Sequence, residues 1–198
     1  SKAAVMHALS ADRIATMHER FAGSAPAGNG PARVLAAVEI AAAVMLELPA
    51  VNRGVMGALG APGSEPGNVL ARSRALWAEA LGDAREFSDP ELARAVLPDQ
   101  LAFAFRGVLS FWTAGEIADA DLVARARAAA ASTLLGFAKP ASRRELVAIL
   151  TGLPAHIGYI IIEHDMDVAL RVAESVSMMH NGRIFKEGRP EEIESDPE

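Results

Sequence analysis

Residues 101–138 read LAFAFRGVLSFWTAGEIADADLVARARAAAASTLLGFA, two helical patterns in succession. From Gln100 to about Ala118, Leu101, Phe103, Phe105, Val108, Leu109, Phe111, Trp112 and Ile117 put apolar groups on nearly every face. A helix that is apolar all round belongs at the centre of a bundle. The second pattern, Asp119 to Phe137, opens on Asp119 and Asp121, acids favoured at a helix N-terminus. Its middle, Ala126 to Ala131, is almost all small side chains, which let a neighbouring helix approach closely. Two such helices decide the fold class: mainly α.

The flanking sequence agrees. Ser1 to about Ala22 carries Val5, Met6, Leu9, Ile14, Met17 and Phe21 largely at helical spacing, with Ser1 placed to cap it. A Gly- and Pro-rich loop (Gly23 to Pro31) leads to a helix from Ala32 to Leu48, which Pro49 is expected to stop. Shorter helices are expected at Val51–Leu59, Asn68–Leu81 and Glu91–Val96, and a last amphipathic one from Ser142, placed as its N-cap, to Leu150. Beyond it the pattern changes. Gly152, Pro154 and Gly158 mark a linker, and Tyr159-Ile160-Ile161-Ile162 is a β-branched run typical of a buried strand. A helix is expected from Asp167 to Ala173. Two short strands, Val176–Met179 and Arg183–Lys186, flank Asn181-Gly182, the strongest short hairpin signal, and Pro190 opens a final helix. The chain thus divides into a helical body (1–150), a linker (151–158) and a small β-α-β-β-α appendage (159–198).

Composition sets limits on function. Cysteine is absent, which removes disulfide and thiolate chemistry and suits a reducing cytoplasm, the expected location. The longest apolar runs are too short to cross a bilayer, and Ser1-Lys2-Ala3-Ala4 opens no secretory segment. Residues 1–153 carry 15 basic and 15 acidic side chains. Residues 154–198 carry 4 basic and 10 acidic ones, so the whole net charge of −6 lies in the appendage. A neutral body with an acidic tail is a poor match for a polyanion, so DNA binding by this chain alone is not expected.

Residues 160–198, IIIEHDMDVALRVAESVSMMHNGRIFKEGRPEEIESDPE, resemble the end of an ABC-transporter ATP-binding subunit, closest to those serving branched-chain amino acid importers. The resemblance implies that His164 stands at the switch-histidine position, which contacts the ATP γ-phosphate in that family. The remaining parts of such a site are missing. Triphosphate binding needs a Gly-rich loop with a Lys and a Ser/Thr, and no G-x-x-x-x-G-K-[ST] occurs here. GAPGSEPG (60–67) and GNGP (28–31) lack the lysine, and no LSGGQ-like signature is found. No enzymatic activity and no cofactor are expected, and His164 is read as a loop histidine.

The body resembles the C-terminal regulatory domain of TetR-family transcriptional repressors. Ser1-Lys2-Ala3-Ala4-Val5 sits where that family's S-K-x-x-L opens the helix after its DNA-reading head, and residues 101–138 resemble its last two helices. The head itself lies outside these 198 residues. The resemblance implies a homodimer paired through those two helices, with Phe105, Leu109, Leu122, Ala126, Ala129, Ala130 and Leu134 at the interface. Intramolecular packing of the same residues is the alternative. It also implies a cavity for a small, mostly apolar effector, for which Met17, Met45, Met56, Trp77, Phe103, Phe111 and Trp112 are candidates. Their spacing alone does not separate cavity lining from ordinary core.

Histidines give no metal site. His7 and His18 share a helix face but lie roughly 16 Å apart along its axis, and His164 with Asp165 and Asp167 suits a strand-end loop and helix start. The competing function is association with ABC-transporter subunits through the tail. A tail left by gene fusion or frameshift, without a function of its own, is a third reading.

Overall fold

The computed structural model describes residues 1–61, 68–152, 166, 169–170 and 173–195. The strand expected at Tyr159–Ile162 and the candidate His164 lie outside the described residues. The body consists of α1 (Lys2–Ser24), α2 (Gly30–Glu47), α3 (Pro49–Leu59), α4 (Val69–Leu81), α5 (Pro90–Thr113), a 3-10 turn at Asp119–Asp121, α6 (Leu122–Leu135) and α7 (Pro140–Thr151). The described part of the appendage holds an antiparallel pair, β1 (Val176–His180) and β2 (Arg183–Gly188), and a short α8 (Pro190–Glu194). The fold is therefore mostly helical with a small C-terminal two-stranded sheet. Among the described residues, no single helix is long and apolar enough to cross a membrane.

Local chemistry sets most boundaries. The Ser1 hydroxyl accepts from the Ala4 N–H at 3.2 Å, and the Asn29 side chain accepts from Ala32 N–H at 3.0 Å to cap α2. Pro49 does not simply end a helix. It occupies the first turn of α3, where its missing N–H costs nothing, and the chain bends by 102° between α2 and α3. Asn52, 2 % exposed, secures the bend by donating to the Met45 carbonyl at 2.8 Å.

Two expectations need correction. The short helix at Glu91–Val96 and the helix from Gln100 are one continuous α5, running through Pro98. A proline inside a helix costs about 3 kcal/mol. Burying Leu97 and Leu101, both essentially inaccessible, offsets that at roughly 1.5–3 kcal/mol each. Ser142 is not a cap: α7 begins at Pro140, and the buried Ser142 hydroxyl accepts from the Asn29 amide at 3.1 Å.

α5 lies at the centre, packed against α3, α4 and α6, while α2 packs on α1, α4 and α6. The core joins Val34, Ala41, Trp77, Leu101, Trp112, Leu134 and their neighbours into one cluster. Trp77 meets Phe105 edge to face with ring centroids 5.4 Å apart. Gly30 has no room for a side chain, since a Cβ there would stand 2.8 Å from the Phe87 ring.

In the appendage, Asn181 (φ 48°) and Gly182 (φ 75°) both take the left-handed conformation that a tight two-residue hairpin requires. Met178 pairs with Lys186 and Met179 with Ile184, with a register shift between them. Val176 and Ile193 are buried, whereas Met179, Ile184 and Phe185 are exposed. Met166, Ala169 and Leu170 are helical, within or beside the helix expected at Asp167–Ala173.

Candidate functional site

A cavity of about 350 Å³ opens between α1, α3, α4 and α5, with Met45 of α2 at its back. Its wall is mostly aliphatic, aromatic and thioether. Met17, Met45, Met56, Trp77 and Phe103, five of the seven residues proposed for an effector pocket, line it. The helical spacing explains this convergence. Ile14 and Met17 face inward from α1, Asn52, Val55 and Met56 from α3, and Ser73, Leu76 and Trp77 from α4, at the three- and four-residue spacing that places side chains on one helix face.

Phe111 and Trp112 lie elsewhere. Phe111 is 54 % exposed on the outer face of α5. Trp112 is fully buried, its indole N–H donating to Asp119 Oδ1 at 2.7 Å. Arg53 lies over the same ring at 4.6 Å and pairs with Asp119 at 2.6 Å. This cluster ties α3 to the end of α5 and the following turn, a positioning role that the sequence did not suggest.

The residues expected at a dimer interface divide in a similar way. Phe105 and Leu109 line the cavity. Leu122, Ala126, Ala130 and Leu134 are buried inside the single chain by α2, α5 and α7 packing on α6. Only Ala129 of that set reaches the outer surface, in a second groove of about 320 Å³ between α5 and α6. Phe103, Gly107 and Phe111, at four-residue spacing, form its α5 side, and Ala128, Ala129 and Ser132 its α6 side. Because α5 is apolar on nearly every face from Leu101 onward, the sequence did not distinguish its inner stripe from its outer one.

Polar groups in the cavity are few. Asn52 is committed to the α2 carbonyls, and the Ser73 hydroxyl accepts from the Trp77 indole N–H at 3.0 Å. Arg13 pairs with Asp12 at 2.7 Å. Arg106 reaches the wall from α5, its Nη1 directed at Met56 Sδ at 3.0 Å. Partial burial lowers its pKa by desolvation. Sequence reasoning passed over Arg106, although it is the single charged residue between Asp99 and Glu116.

His18 has its Nδ1 2.7 Å from a Glu79 carboxylate oxygen and so links α1 to α4.

No family model and no solved structure matches the chain. One short similarity was found: 35 residues, 18% of this chain, are 51% identical to an uncharacterized ABC transporter ATP-binding protein of Methanocaldococcus jannaschii. The matched stretch spans only 6% of that protein's length. A small ABC ATP-binding fragment is what this similarity supports.

Proposed function

We propose that the helical body is a non-catalytic, cytoplasmic, effector-binding and dimerising module, of the kind found behind the DNA-reading head of TetR-type regulators. The observation that carries this reading is the apolar cavity between α1, α3, α4 and α5. Its size is at the lower end of small-molecule sites, and a wall with few polar groups selects a mostly apolar guest. Phe103 lines both this cavity and the α5–α6 groove. A guest pressing on Phe103 would therefore act on the surface through which a second copy docks, coupling occupancy to the geometry of the pair.

A ligand that binds only the folded chain stabilises it by about 2.7 kcal/mol at one hundred times its dissociation constant. Thermal unfolding with a panel of apolar compounds of this size, neutral and charged, is expected to show a concentration-dependent rise in midpoint for at least one member. A midpoint unmoved by every member would contradict the reading.

The short ABC similarity favours a second reading for residues 159–198: association with ABC-transporter subunits. The hairpin's exposed Met179, Ile184 and Phe185 offer an apolar surface for it. Such an association would be lost on deleting residues 154–198.

A further inference from the structure

The cavity has a charge character that its apolar lining conceals. Two arginines and no Asp or Glu are among the described residues that line it. Arg13 is neutralised by Asp12. Arg106 forms no ion pair with any described carboxylate, and its closest polar partner there is a thioether sulfur at 3.0 Å. A thioether is a weak acceptor and supplies no counter-charge. A half-buried guanidinium beside an apolar cavity has lost part of its hydration, and a carboxylate placed against it would restore the lost interaction in bidentate form.

We propose that the ligand of this cavity is an apolar monoanion, with its carboxylate on Arg106 and its hydrocarbon or aromatic part against Met17, Met45 and Trp77. The proposal rests on the effector-binding reading and narrows it to a chemical class. It excludes the cationic amphiphiles that an equally apolar cavity lined by carboxylates would take. Arg106 holds the head group, and the wall formed by α1, α2 and α4 holds the tail. Arginine suits this role because it stays charged even when burial lowers its pKa.

The test uses three probes with one tail, decanoate, decanol and decylamine, titrated calorimetrically into the full chain at neutral pH. A charge-assisted hydrogen-bonded pair predicts that decanoate binds about ten- to a hundredfold tighter than decanol, with decylamine weakest. Arg106→Gln is expected to erase the difference between decanoate and decanol while leaving decanol binding in place. Arg106→Lys, which keeps the charge but loses the planar fork, should restore part of it. Decanol or decylamine binding the native chain as tightly as decanoate would overturn the anion assignment and leave the cavity reading standing. A decanoate preference that survives in Arg106→Gln would overturn it as well. Failure of all three probes to bind the folded chain would overturn both.

Discussion

Replacing Trp112 by alanine is expected to lower the unfolding free energy by about 4 kcal/mol, the scale of removing a large aromatic from a packed core. Trp112 is fully buried where the end of α5 meets the 3-10 turn. Its loss empties that volume, removes the hydrogen bond to Asp119 and takes the ring from beneath Arg53. The aromatic volume dominates. The Arg53–Asp119 pair is partly exposed on both sides and so contributes no more than about 1 kcal/mol. For a chain of this size the thermal midpoint should fall by about 8–16 °C. Guanidinium denaturation at fixed protein concentration checks the value, with the slope unchanged if the native state remains intact. A loss below about 1.5 kcal/mol would show that Trp112 is not part of the core described here.

The second large effect concerns association. The native chain is expected to sediment as a dimer, and Phe111→Glu as a monomer. Phe111 and Phe103 stand more than half exposed beside a groove whose floor is Gly107, Ala128 and Ala129. Protruding rings next to a small-residue hollow on one face are self-complementary, as a two-fold interface requires. A central aromatic anchor typically carries 2 kcal/mol or more, and a buried carboxylate in its place adds a desolvation cost. The dissociation constant should therefore rise by more than about a hundredfold. Val51→Glu, an exposed apolar position on α3, is the control and should leave the dimer intact. Sedimentation of the native chain as a monomer, or equal weakening by both changes, would remove the α5–α6 face from the account.

Much of the fold was legible because its signals are local. Ser1 and Asn181-Gly182 act through their own backbone neighbourhoods, and their chemistry reads directly from the chain. Pro98 shows the limit of that approach. Its helix-breaking tendency is local, whereas the burial of Leu97 and Leu101 that overrides it depends on partners distant in sequence. The cavity was visible as a set of Met and aromatic residues, and five of the seven converge. The faces of α5 were not visible, because a helix apolar on every side has no periodicity from which to choose. Phe105 and Leu109 consequently turn inward to the cavity, Phe111 faces out, and Phe103 stands at the border, lining both the cavity and the outer groove. Arg106 carried a signal, an isolated charge within an apolar run, whose meaning depended on seeing that no described carboxylate meets it.

The function proposed for the helical body requires that the cavity admit a ligand. The chain has two tryptophans, one in the cavity wall and one in the core away from it. Trp112→Phe leaves Trp77 as the sole reporter, and Trp77→Phe leaves Trp112. Both variants would be titrated with ω-bromoundecanol, whose bromine quenches indole fluorescence on contact. Ligand in the cavity is expected to quench Trp77 saturably at one ligand per chain, with Trp112 unaffected over the same range. Weak quenching that is linear in concentration and equal for the two tryptophans would contradict it.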